Sequence, residues 1–155
     1  MPGQEHRTTS RIVAGVDGSP SSISALCWAI RQAGLTGTAV DAVIAWHYPV
    51  IVGGGYGVAP MVTAGGFDLK ENAEKVLADA ISAAVDSASS VPVHARVVEG
   101  NAAQVLIDAS DGADLLVVGS RGHGGFTEAM LGSVSQHCVH HAPCPVVVIR
   151  RQQHD

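Results

Sequence analysis

Two short segments of the chain hold groups that can do chemistry. The first is Asp17-Gly18-Ser19-Pro20, which closes an apolar run from Arg11 to Val16. Its carboxylate can cap a turn. It can also hold a hard cation, Mg²⁺ or Mn²⁺, next to phosphates that would otherwise repel it. The second segment reads Gly119-Ser120-Arg121-Gly122-His123-Gly124-Gly125 and resumes at Gly132-Ser133-Val134-Ser135. Glycines let backbone N–H groups reach an anion with no side chain between. A helix opening at Ser133 adds free N–H groups and the positive end of its dipole. The hydroxyls of Ser133 and Ser135 add donors, and Arg121 adds charge. His123 reads equally as a phosphate contact or a solvated loop residue. The plain alternative is a flexible loop in which Ser133 is an ordinary helix cap.

The spacing excludes two familiar phosphate motifs. No Gly-Lys-Ser/Thr occurs, and the lysines are Lys70 and Lys75. The dinucleotide fingerprint needs Gly-x-Gly-x-x-Gly directly after a strand. Other constellations carry less. His137, Cys138, His140, His141 and Cys144 cluster, but no CxxC pair is present and Cys144 lies beyond Pro143. Buried cysteines and surface histidines explain them better than structural zinc. Ser133 has no base paired to it by spacing, so no covalent nucleophile is assigned.

The elements that would position these groups alternate. Apolar runs at Arg11–Val16, Ala39–Trp46, Val93–Val98, Asp114–Gly119 and Pro145–Ile149 read as strands. Helices are expected from Ser19-Pro20 to about residue 32, from Asp68 to about residue 87, from Ala102 to about residue 110 and from Ser133 to about residue 141. In the first, Ile23, Leu26, Cys27 and Ile30 form the apolar face, and Gly34 and Gly37 mark the exit. His47 to Gly66 holds six glycines and two prolines and reads as a long loop, with its Gly53 to Gly66 part a candidate lid. The pattern predicts an α/β fold: one doubly wound domain with a five-stranded parallel sheet in the order 3-2-1-4-5 and helices on both faces. The domain spans residues 11–150, with tails at 1–10 and 151–155. Ligands of such sheets bind where strand order reverses, here between the first and fourth strands. Asp17 and Gly119 would therefore meet at one crevice.

Bulk properties narrow the partners. The 155 residues are 46% hydrophobic and 15% charged, with net charge −5. That composition favours a packed core over disorder and gives no footprint for nucleic acid. Three cysteines, no apolar leader core near Met1 and no membrane-length apolar run predict a cytoplasmic protein without membrane partners. Aromatic residues are 4% of the chain, which weighs against a flavin carrier. The last strand, Val146, Val147, Val148 and Ile149, would be an uncharged, β-branched sheet edge. A second copy pairing there would protect it.

Gly119, two residues, Gly122, nine residues, Gly132-Ser133 resembles the nucleotide motif of the ATP-binding universal stress proteins. Val16-Asp17-Gly18-Ser19 and Cys144-Pro-Val-Val-Val-Ile-Arg150 extend the resemblance over nearly the whole chain. It implies an adenine nucleotide, ATP, as ligand and a homodimer through the last strand. Asp17 would lie by the ribose and phosphates, directly or through a metal, with Gly15 giving the nucleotide room. Ala45 would meet adenine. Gly119, Arg121 and Gly122 would border the ribose and phosphates, with the backbone of Ser120 and of His123, Gly124 and Gly125 close by. Gly132, Ser133, Val134 and Ser135 would hold the phosphate tail. The implied role is a nucleotide-dependent regulator of stress response or dormancy. The alternatives are a cyclic AMP binder, or a slow ATPase or nucleotidyl transferase using Asp17 and Ser133.

Overall fold

The computed structural model describes residues 10–48, 66–86, 89–121 and 131–150. Five strands alternate with four helices: β1 (Arg11–Gly15), α1 (Pro20–Thr36), β2 (Ala39–Trp46), α2 (Gly66–Ala84), β3 (Val93–Glu99), α3 (Ala102–Ala109), β4 (Leu115–Gly119), α4 (Ser133–His141) and β5 (Val146–Ile149). The sheet is parallel throughout, in the expected order β3-β2-β1-β4-β5. β1 is the central strand and is covered on both faces. Ile12, Val13 and Ala14 are all at most 1% exposed.

Alternate residues of each strand feed two cores. Ile12, Ala14, Val40, Ala42, Ile44 and Val117 pack under α1 and α2. Val13, Val43, Leu116 and Val118 pack under α3 and α4, with Val105, Leu106 and Cys138. The architecture is therefore three layers, with helices on both faces of one sheet.

The local chemistry of α1 differs from expectation in two ways. Its buried face is Ser21, Ser22, Ala25, Leu26, Ala29, Ile30 and Ala33, whereas Ile23 and Cys27 are only half-buried. Small residues spaced four apart let the helix axis approach the sheet, so bulk is moved to the flanks. The helix also runs through Gly34 and stops at Gly37, whose φ of 70° supplies the left-handed cap. A single interior glycine weakens a helix by about 1 kcal/mol but does not end it.

The reversal point falls between β1 and β4, which pair directly through Ile12↔Leu115, Val13↔Leu116 and Ala14↔Val117. β1 continues to β2 and β3 on one side, and β4 to β5 on the other. Residues 16–22, 119–121 and 131–135 therefore converge at one end of the sheet.

Candidate functional site: a crevice at the strand-order reversal

After β1 the chain turns sharply on Gly18, at φ 83°. The Asp17 carboxylate holds this turn, accepting from the Ser19 N–H at 2.8 Å. Ser19 then caps α1 by accepting from the Ser22 N–H at 3.2 Å, and Pro20 takes the first helical position. The Ser22 hydroxyl closes the turn by accepting from the Asp17 N–H at 3.2 Å. Asp17 is exposed at the mouth of the crevice.

Three hydrogen bonds fasten the other wall. The Ser120 N–H donates to the Ile149 carbonyl at 2.8 Å, and the Gly132 N–H donates to the Ser120 carbonyl at 2.8 Å. The Ser135 hydroxyl donates to the Gly119 carbonyl at 2.5 Å. These bonds anchor the start of α4 against the end of β4. Gly132 is the N-cap and supplies no side-chain cap. By contrast, α1 is capped by Ser19 and α3 by Asn101. Among the described residues no side chain caps the first-turn N–H groups of α4, and the positive end of the helix dipole lies behind them.

Between the walls lies a cavity of about 270 Å³. Nine of the expected residues line it: Gly15, Asp17, Ala45, Gly119, Arg121, Gly132, Ser133, Val134 and Ser135. Ser120 is not on its surface; its backbone is committed to Ile149 and Gly132. Gly122, His123, Gly124 and Gly125 lie outside the described residues, as does the Pro49–Gly65 part of the glycine-rich loop. Sequence reasoning missed the apolar floor, formed by Val43, Ala102, Leu106 and Val118. Val43 was within reach, being two residues before Ala45 on the same strand face. Leu106 was not, because nothing local says which strands α3 covers. The apolar floor, with one carboxylate, one guanidinium and helix amides at the rim, suits a flat base joined to an anionic group. A wider cavity of about 660 Å³ opens on the α1/α2 face and shares Asp17 and Ala45 with the first.

The two cavity-lining glycines at the strand ends leave no space for a side chain. A Cβ on Gly119 would lie 2.7 Å from the Ser21 carbonyl carbon, 2.9 Å from its oxygen, and closer still to its Oγ. Absence of a side chain there lets α1 dock on β4. A Cβ on Gly15 would point at Leu106 Cδ1, 2.7 Å away. The Ser135 hydroxyl is likewise turned to the Gly119 carbonyl, so the donor it presents to the cavity is its N–H.

The cysteine and histidine cluster does not converge. Cys138 is fully buried beneath α4, while His137, His140 and His141 are exposed. Burial pushes the Cys138 thiol up to about 11. Among the described residues no three or more His, Cys, Asp or Glu side chains come together as a metal site. Nor is any described helix long and apolar enough to cross a membrane.

This parallel sheet, with helices on both faces and a crevice at the β1/β4 reversal, defines a doubly wound α/β domain. Residues 8–150 match the universal stress protein family model, and the chain belongs to that family. Universal stress protein Rv2005c of Mycobacterium tuberculosis is 34% identical over 154 residues, covering 97% of this chain and 48% of the relative. The chain spans about half the length of the curated relatives it matches. Among solved structures, a universal stress protein in complex with cAMP superposes with a TM-score of 0.59 at 22% identity, covering 93% of this chain and 98% of that one. The universal stress protein from Archaeoglobus fulgidus in complex with dAMP gives 0.54 at 20% identity, covering 90% and 97%.

Proposed function

We propose that the crevice binds an adenine nucleotide, ATP first among them, and that the bound nucleotide sets conformation or partner choice in a cytoplasmic stress or dormancy response. One observation carries this reading: the uncapped first turn of α4 opens onto an apolar-floored cavity. Adenine would lie over Val43, Ala45 and Leu106, and the phosphates would take the N–H groups of Ser133, Val134 and Ser135. Arg121 supplies the cation that the chain's overall negative charge does not. The solved relatives in complex with cAMP and with dAMP support adenine as the base. Gly122 and the residues His123, Gly124 and Gly125 would complete the phosphate cradle.

Asp17 fits a hard cation as far as its chemistry goes. It offers carboxylate oxygen at the cavity mouth, and Mg²⁺ is commonly held by one carboxylate together with substrate phosphates. The cation would neutralise the phosphate tail where the carboxylate alone repels it. The sequence has no Walker-type Gly-Lys-Ser/Thr, and Asp17 is assigned here to the cation rather than to an attacking water, so a binding role is favoured over rapid hydrolysis.

The exposed sheet edge at β5 supports the second part of the reading. All four of its residues are half-buried and apolar. A second copy of this chain pairing along Val146, Val147, Val148 and Ile149 would cover them.

The decisive experiment is calorimetric titration of ligand-stripped protein with ATP, ADP, AMP, cyclic AMP and adenosine. Binding that strengthens with the phosphate tail, and that is lost in Gly122→Glu while the fold persists, is expected. Equal affinity for adenosine and ATP would remove the role given to α4. Phosphate release far above background that vanishes in Asp17→Ala would establish the enzyme instead.

A further inference from the structure

The exposed side of α4 holds a feature that the nucleotide reading does not use. His137 and His141 are four residues apart, so they project from successive turns of one helix face. Their ring centroids are 4.6 Å apart with planes tilted by 46°. His140 lies to the side, with its ring centroid 6.3 Å from that of His141. All three rings are exposed. Among the described residues, neither His137 nor His141 has a hydrogen-bond or ion-pair partner, and the two rings stand against one another. Cys138 is buried on the opposite side of the helix, which excludes it as a ligand.

Two metal–imidazole bonds of about 2.0–2.1 Å span at most about 4 Å between nitrogens. Rings held on successive turns at this separation can reach that span by side-chain rotation alone, with no change in the helix. Imidazole selects zinc, nickel and copper over magnesium and calcium, which prefer oxygen. Exposure leaves the remaining coordination positions to water.

We propose that His137 and His141 form a two-imidazole site for a divalent transition cation of the zinc and nickel class, on the last turns of α4. The cation clips residue 137 to residue 141 and so holds the C-terminal end of a nine-residue helix. The other end of that helix lines the crevice. The site stands on the histidine geometry alone and does not require the nucleotide assignment.

The test is calorimetric titration of the untagged full chain with Ni²⁺ alone, with Mg²⁺ as contrast, followed by His137→Ala, His141→Ala, His137→Gln and His140→Ala. Mg²⁺ should give no heat. Each substitution at 137 or 141 should weaken Ni²⁺ binding by about tenfold or more, since even loss of an outer-shell partner weakens metal sites on that scale. His140→Ala should leave affinity within a small factor. Circular dichroism of each metal-free variant checks that the helix persists, and His137→Gln keeps a long polar side chain should alanine disturb it. The proposal is overturned if the parent does not bind Ni²⁺, if all variants at 137 and 141 bind it as the parent does, or if only His140→Ala abolishes binding.

Discussion

Gly119→Ala adds one methyl group at the point where two walls of the crevice meet. The added Cβ has no room: it would sit 2.7 Å from the Ser21 carbonyl carbon and 2.9 Å from the Ser21 oxygen. Those are backbone atoms of the first turn of α1, so no rotamer change relieves them. The Ser21 Oγ is closer still, and turning it away would break its hydrogen bonds to the Ile149 carbonyl and from the Arg121 N–H. Either α1 must move off β4 or β4 must bend. Overpacking of this kind costs about 1–3 kcal/mol, and rigid backbone on the receiving side places Gly119→Ala toward the top, at about 2–3 kcal/mol. With a urea m value of roughly 2 kcal/mol/M, the unfolding midpoint should fall by about 1–1.5 M. Gly15→Ala is the internal contrast. Its Cβ meets only the flexible end of Leu106, at 2.7 Å, so it should cost clearly less. Adding Ser21→Ala to Gly119→Ala removes the Oγ contact but should restore at most a small part of the loss, because the backbone contacts remain and the hydroxyl's own hydrogen bonds are lost. A Gly119→Ala protein with an unchanged midpoint and unchanged m would refute the packing role assigned to this glycine.

The other expectations are smaller in scope. Ser135→Ala deletes a buried hydroxyl and leaves the Gly119 carbonyl without its donor; the unfolding free energy should drop by about 1–2 kcal/mol in urea titration. Cys138, raised by burial from 9.0 to about 11, favours the folded state most below pH 9. That contribution should be lost as pH rises toward 11, by roughly 3 kcal/mol at the limit. Cys144 is raised in the same direction; stability measured at pH 8 and 10.5 should fall less in Cys138→Ala than in the parent. Val148→Lys puts a charge on the exposed β5 edge. Sedimentation should then report monomer at concentrations where the parent is dimeric, and a monomeric parent would defeat the pairing proposed for β5.

Much of this architecture was legible along the chain because a doubly wound sheet leaves a periodic trace. Strands covered on both faces must be apolar at every position, as in Ile12-Val13-Ala14 and Leu116-Val117-Val118, and the helices between them show a 3.6-residue period. Handedness and short connections then leave few strand orders, so the β1/β4 reversal, and with it the meeting of Asp17 and Gly119, followed from sequence. Turn chemistry was equally local: Asp17-Gly18-Ser19-Pro20 specifies a positive-φ turn, a cap and a first helical residue in order.

What tertiary structure alone decided is which atoms those residues face. Gly119 lines the crevice, but the space that a side chain there would fill is taken by Ser21, because α1 returns over β4 only in three dimensions. Ser135 looked like a phosphate donor and gives its hydroxyl to a carbonyl sixteen residues earlier in the chain. Leu106 and Ala102 became the floor of the crevice because α3 crosses β2 and β1 rather than β3. The spacing of residues along a strand or helix sets periodicity, cap and turn through neighbours a few positions away. Contact between residues a hundred positions apart depends on how layers dock, and side-chain volume, not motif, settles that.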